Sequence, residues 1–460
     1  MAKRYVWMDL KREDLRIQRE QCADEGFDLQ PFEAEFKALD ADGMENDPKF
    51  MKRALALLDA TTRLKPRDGW AFEEPDALRA IRRARPDKTR LPRMRLTEEQ
   101  LLDRIHGGWT GCGCGCLLGC PVEGKKRWQI EKYLKAQNRW PLARYFSQKA
   151  DEALARECGI GGTRRVFEEN ISCMVEDDDM NYTTVGLAVV REYGGGFKPE
   201  DVGEFWLNNI PILHTCTAER VAYRNIVARI PEPDENGRFR GRFSSASFRN
   251  PYREWIGAQI RADFFGYCSP GDPEQAAGFA WRDACISHVK NGIYGEMWAA
   301  AMIAAAYVLD DVEEVIRAGL AQIPAKCRLA RDIEEVLAWR REGRTYEQAV
   351  EAVHAKWDEK NPHHWCHTNS NAQIVALALL WGNSDYGKTI CLSVMPGFDT
   401  DCNGATAGSV LGVMLGRRAI PAAWTACMQD RLETGVHGYH SVSIPEMAKN
   451  TLEIVRTLRN

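Results

Sequence analysis

Glycine recurs at every fourth position in two stretches of this chain, Gly107, Gly111, Gly115 and Gly119, and then Gly404, Gly408, Gly412 and Gly416. In a helix, a four-residue step keeps such positions on one slowly rotating stripe. Each glycine costs about 1 kcal/mol relative to alanine in a helix interior. A helix that bears this cost four times needs a return, and close approach of another backbone supplies one. The ladders therefore predict helices packed at short distance, which would hold the residues at their ends in fixed positions. A phosphate-loop reading of the first stretch fails. No strand precedes it, the GxGxxG spacing is not met, and no Gly-Lys-Ser/Thr follows.

Helix signals dominate elsewhere. Thr97-Glu98-Glu99-Gln100 and Thr345-Tyr346-Glu347-Gln348 are capping boxes, and Asp272-Pro273 places an N-cap aspartate before a first-turn proline. Gly295 to Val308 is rich in alanine and methionine, both strong helix formers. Alternating β-branched patterns are scarce, so the expected fold class is all-α. Residues 1–95 read as a polar, charged, helical extension ending near Pro86 and Pro92, and residues 96–460 as the main domain. Residues 231–252 read as a polar, arginine-bearing loop.

The formal net charge of -4 leaves no electrostatic footprint for nucleic acid or an anionic membrane surface. The opening MAKRYVWMDLKRED turns polar too soon for a signal peptide, and Met297 to Leu309 is too short to span a bilayer. A soluble, cytoplasmic protein is expected. Its 15 cysteines are scattered, so reduced thiols are expected rather than a disulfide scaffold.

The acids carry the chemistry. Glu123 follows the first ladder, Glu176-Asp177-Asp178-Asp179 opens an apolar run, and Asp399-Thr400-Asp401 precedes the second ladder. Burying such acids uncompensated is prohibitive, and a divalent cation removes the cost. Oxygen-only donors point to hard cations, and five or six carboxylates exceed what one Mg²⁺ takes. A helix N-terminal charge cluster favoured by the macrodipole would explain one acid run but not three.

Gly115-Cys116-Leu117-Leu118-Gly119-Cys120-Pro121-Val122-Glu123, the acids at 177–179 and Gly397-Phe398-Asp399-Thr400-Asp401-Cys402-Asn403-Gly404-Ala405 together resemble the ADP-ribosylglycohydrolases. Ala258-Gln259-Ile260-Arg261, Pro270-Gly271-Asp272-Pro273, Asp283 and Ser287-His288 are similar to intermediate family blocks. The resemblance spans roughly residues 98–455. It implies an all-α fold, two Mg²⁺ or Mn²⁺ per chain, and cleavage of a bond from ribose C1″ to nitrogen or oxygen. It also implies Glu123, Asp177, Asp178, Asp179, Asp399 and Asp401 as metal-site residues, with Glu123 and Asp178 catalytic. Departures from the family pattern are Asp177 and Met180 for two threonines, Cys402 for a threonine, and Cys116 where aspartate is frequent.

The expected mechanism is water attack at an anomeric carbon of oxocarbenium character, with Glu123 moving a proton. Arg261 is a candidate for an anionic part of the substrate, since guanidinium suits phosphate. Arg238, Arg240, Arg242 and Arg249 read as solvated loop charges. His367, in the cluster His363, His364 and His367, is the second candidate substrate contact, and His288 reads as a core brace. Cys112, Cys116 and Cys120 share a helix face but lack paired C-x-x-C spacing, so they read as small buried residues. The expected substrate is a ribosylated or glycosylated small molecule or protein, with ADP-ribosyl-acceptor hydrolysis the leading reading. Hydrolysis of a small-molecule glycoside or nucleoside is the alternative within the class. A catalytically silent ADP-ribose-like ligand binder or structural relative is the alternative outside it.

Overall fold

The computed structural model describes residues 10–41, 47–86, 91–161 and 164–459. The first nine residues, which carried most of the signal-peptide reading, lie outside them. Among the described residues there are 22 α-helices and one short antiparallel ribbon, Arg431–Glu433 with Ser441–Ser443. The fold is all-α. No helix among them is long and apolar enough to cross a membrane.

The ladders form the central pair of helices, Glu98–Gly119 and Thr400–Leu415, packed antiparallel on one another. A Cβ on Gly107 would meet the Gly412 carbonyl oxygen at 2.1 Å, one on Gly111 that of Gly408 at 2.2 Å, and one on Gly115 that of Gly404 at 1.9 Å. One on Gly119 would strike the Thr400–Asp401 peptide at 2.3 Å. Only glycine permits this approach. The pairing carries the end of the first helix to the start of the second, and Thr400 Oγ1 ties the junction by donating to the Gly119 carbonyl at 3.0 Å.

Local signals hold where they were read. Thr97 and Thr345 exchange hydrogen bonds with Gln100 and Gln348, and Asp272 accepts from the Gln275 amide above Pro273. The alanine-rich helix runs Asn291–Ala305, starting earlier and stopping sooner than its composition suggests. Residues 231–252 contain no helix or strand. All 15 cysteines are free thiols.

Helices Arg12–Asp24, Glu33–Ala41 and Pro48–Thr61 enclose a small core of their own, including Leu15, Phe36, Leu39, Phe50 and Leu58. Leu78 and Ile81 join the main core instead. A buried polar network fastens the small core to the main body. Arg253 donates to Gln18 at 2.8 Å and to Glu25 at 2.7 Å, and Gln21 donates to Glu254 at 2.6 Å. Arg328 bridges Glu254 and Glu74 at 2.8 Å each.

Candidate metal centre

Three segment ends bring the acids together. The helix Glu98–Gly119 passes through a 3₁₀ turn, Cys120–Val122, to Glu123. The helix Asp178–Tyr193 begins at N-cap Asp177, whose carboxylate accepts from the Asp179 amide at 3.1 Å. The second ladder helix begins after Asp399, which uses no side-chain cap bond. The chain reaches Asp399 through Gly397 and Phe398, both at positive φ, and the Phe398 ring packs against His354. An aromatic residue at φ +62° is rarely tolerated, which marks a turn whose shape is imposed by its surroundings.

Carboxylate oxygens of Asp177, Asp178, Asp179 and Asp401 converge within 4.8 Å of one another, as do those of Glu123, Asp399 and Asp401. Asp401 belongs to both groups. Asp179, Asp399 and Asp401 are buried at the floor, Asp177 and Asp178 are half-buried, and Glu123 is exposed at the rim. Glu176 turns outward to His214.

The electrostatics are those of an acid site with its counter-charge left to be supplied. Burial first, and then mutual repulsion, hold Asp178, Asp179 and Asp401 well above the usual carboxylate range. Burial likewise pushes Asp399 up to about 6. Glu123 is exposed as a side chain, but its carboxyl leans on the acidic wall. Desolvation there, followed by the charges of Asp399 and Asp177, pushes it up to about 7. The helix N-termini at Asp178 and Thr400 offset part of the repulsion. Oδ1 of Asp179 and Oδ1 of Asp401 are buried with no hydrogen-bond partner. Buried polar atoms are seldom left so, and an all-oxygen set with orphaned floor oxygens fits a hard divalent cation.

Thiols ring the acids, and of them only Cys402 stood out in the sequence, as a departure from the family pattern. Cys120 donates to Asp177 and Cys402 to Asp179, each at 3.4 Å, and Cys366 donates to Asp399 at 3.5 Å. Cys112 meets Asp263 at 3.1 Å deeper in the core. Asn371 was also missed. Its side-chain oxygen accepts from the Asp399 amide at 3.1 Å and from Asn403 at 2.8 Å.

The two residues expected to contact substrate are placed elsewhere. Arg261 is buried, with its guanidinium facing Glu219 at 2.7 Å, Asp283, and Glu296 at 3.6 Å, over the rings of Tyr182 and Trp206. His367 is fully buried and stacked on Trp357. It adjoins the site through Cys366 and Asn371. Neither is open to a ligand in this structure.

Asp24, His363 and His367 also converge, but their hydrogen bonds argue against a cation. His363 Nδ1 accepts from the Trp255 indole and His367 Nδ1 from the Asn369 amide, both at 3.1 Å. A neutral ring so held carries its proton on Nε2; that of His363 directs an N–H at Asp24 at 3.0 Å, and that of His367 finds no hydrogen-bond partner among the described residues. Of the loop arginines, Arg238 pairs with Asp234 and Arg249 with Asp59 at 2.8 Å each.

Fold and site together define an all-α protein whose carboxylates gather at the ends of a glycine-packed helix pair. The family model for ADP-ribosylglycohydrolase matches residues 97–455, and the chain belongs to that family. Among solved structures, an ADP-ribosylglycohydrolase-related protein complex is similar at 17% identity and TM-score 0.49, over 78% of this chain and 99% of that one. Comparison with curated proteins yields no match.

Proposed function

We propose that this chain is a metal-dependent hydrolase of the glycosidic bond at ribose C1″, acting on ADP-ribosylated acceptors, with two Mg²⁺ or Mn²⁺ per chain. The observation that carries this reading is Asp401, shared by two convergent carboxylate groups, with one of its oxygens buried and unpartnered. Asp177, Asp178, Asp179 and Asp401 would hold one cation and Glu123, Asp399 and Asp401 the other. Such cations supply Lewis acidity and a water of lowered pKa.

The residues themselves divide the remaining work by depth. Asp179, Asp399 and Asp401 lie buried at the floor, so substrate arrives over Glu123, Asp177 and Asp178. The negative floor favours the positive charge that develops at C1″ as the bond breaks. Glu123, at the open rim and near neutrality in its proton affinity, is placed to move a proton between water and leaving group. Asp178, first residue of its helix, orients the reacting groups from the opposite wall.

The test is metal content and thermal stability with and without EDTA, on wild type and Asp399→Ala, followed by a panel of ADP-ribosylated acceptors, nucleosides and glycosides. About two cations per chain, lost in the variant, with release of ADP-ribose, support the reading. Turnover of nucleosides or glycosides alone reassigns the substrate. Metal binding without turnover of any panel member makes the chain a silent relative, and no binding at millimolar Mg²⁺ or Mn²⁺ overturns the metal centre.

A further inference from the structure

Three thiols reach the acid cluster from three separate segments, and each faces a different carboxylate. They do not stand in the same relation to it. Cys120 converges with Cys116 and Asp177, but both carboxylate oxygens of Asp177 accept hydrogen bonds, one from Cys120 and one from the Asp179 amide, so that set holds no orphaned oxygen. Cys366 faces Asp399 alone and belongs to no convergent set of donors among the described residues. Cys402 is different. It is buried in the first turn of the second ladder helix, and its sulfur converges within 4.8 Å with oxygens of Asp179 and Asp401. Of the clustered acids, those two are the ones with a buried oxygen that has no hydrogen-bond partner among the described residues. At 0% and 2% exposure, both are shielded from bulk solvent.

An orphaned oxygen on each of two buried acids, with a sulfur converging on both, fits the donor set of a cation. The composition of that set decides what it takes. Carboxylate oxygens suit Mg²⁺, Ca²⁺ and Mn²⁺ alike, whereas a thiolate is a soft donor that Mg²⁺ binds poorly and later first-row ions bind well.

We propose that Cys402 is a thiolate ligand at an Asp179–Asp401–Cys402 cation position, and that this position prefers Mn²⁺, Fe²⁺, Co²⁺ or Zn²⁺ to Mg²⁺. The proposal rests on the metal-centre reading above and narrows it. On binding, the Cys402 S–H bond breaks heterolytically. Its proton, now given to Asp179, leaves to solvent, and the sulfur lone pair forms the bond to the ion. No oxidation or reduction is involved. Cys120 and Cys366 remain thiols.

Co²⁺ is the probe, because sulfur ligation produces a near-ultraviolet sulfur-to-cobalt charge-transfer band that oxygen ligation does not. Full-length, metal-stripped protein is titrated with Co²⁺ while absorbance and the thermal midpoint are followed. Wild type shows the band together with a rise in midpoint. Cys402→Ser and Cys402→Thr lose the band but keep a rise, and Cys120→Ser keeps both. A band that persists without Cys402 overturns the proposal. So does wild type that is stabilised by Co²⁺ with no band, an arm that needs no variant to fold and leaves the metal centre itself standing. If Co²⁺ gives neither band nor stabilisation, the metal centre falls as well.

Discussion

Gly115 and Gly404 meet backbone to backbone: a Cβ on Gly115 would lie 1.9 Å from the Gly404 carbonyl oxygen, and one on Gly404 would lie 2.2 Å from that of Gly115. Neither obstacle is a side chain that can swing away. Alanine gains about 1 kcal/mol of helix propensity, and overpacking a rigid contact costs about 3 kcal/mol or more. Gly115→Ala and Gly404→Ala should therefore be strongly destabilising in urea or thermal melts. Gly196→Ala, whose Cβ meets nothing within 4 Å, should stay within about 0.5 kcal/mol of wild type. A wild-type midpoint for Gly115→Ala would contradict the packing.

The four-residue step made close packing legible but not its partner. Nothing local says that Gly107 belongs beside Gly412, because that pairing depends on the whole intervening chain. Caps behave differently. Thr97 and Gln100 are three residues apart and satisfy one another wherever the helix lies. The alanine-rich helix carries no such stop signal, which is why its ends at Asn291 and Ala305 were not readable.

Asp401→Asn should move two stabilities in opposite directions. Asp401 is held well above the usual carboxylate range by burial and by the charges of Glu123, Asp399 and Asp177, so its ionised form costs stability at neutral pH when no cation is present. Removing that charge should raise the thermal midpoint in EDTA. The same substitution should abolish stabilisation by Mn²⁺, which for an intact site at a hundredfold excess over Kd is about 2.7 kcal/mol. Parallel melts with EDTA and Mn²⁺ test both signs, and a variant destabilised in EDTA would count against the electrostatic account.

The acids of the site were legible because four consecutive carboxylates near apolar sequence demand compensation. Of the thiols only Cys402 was, as a departure from the family pattern; cysteine is equally at home as a small core residue. Cys366 lay hidden among His363, His364 and His367, which drew attention by their number. Arg261 looked like an anion contact for a similar reason: its partners Glu219, Asp283 and Glu296 come from three other helices, and only the fold brings them to it.

Glu254 gives a pH window for the seam between the N-terminal helices and the main body. Burial alone would raise its pKa. The charges of Arg328 and Lys290, with hydrogen bonds from Asn291 and Gln21, more than offset that and bring it down from 4.5 to about 2. A carboxyl whose folded value is depressed stabilises the fold above its unfolded value and loses that contribution as pH falls through the folded one. Glu254→Gln should thus be less stable than wild type by about 3 kcal/mol at pH 7. The gap should close between about pH 4.5 and 2. Urea midpoints of both proteins across that range decide it, and a gap independent of pH would mean that the loss is one of packing.

Glu123 is the one acid whose loss should separate chemistry from metal binding. Its side chain stands at the rim, while five other acids remain to hold cations. Glu123→Gln should lower kcat by about 10²- to 10⁴-fold, the range for a positioned proton carrier, with most of the Mn²⁺-dependent stabilisation retained. The pH dependence adds a second readout. In the cation-free site Glu123 sits at about 7 and Asp399 at about 6. Both, like Asp178, Asp179 and Asp401, which burial also holds well above the usual carboxylate range, must lose their protons to bind an ion, so stabilisation by Mn²⁺ should fade as pH falls. With Glu123 replaced by an amide, one proton fewer competes with the ion, and the fading should begin at a lower pH than in wild type. Unchanged kcat on the best substrate of the panel would remove Glu123 from proton transfer. Loss of Mn²⁺ stabilisation together with activity would make it a ligand first, its apparent chemistry following from the ion it holds.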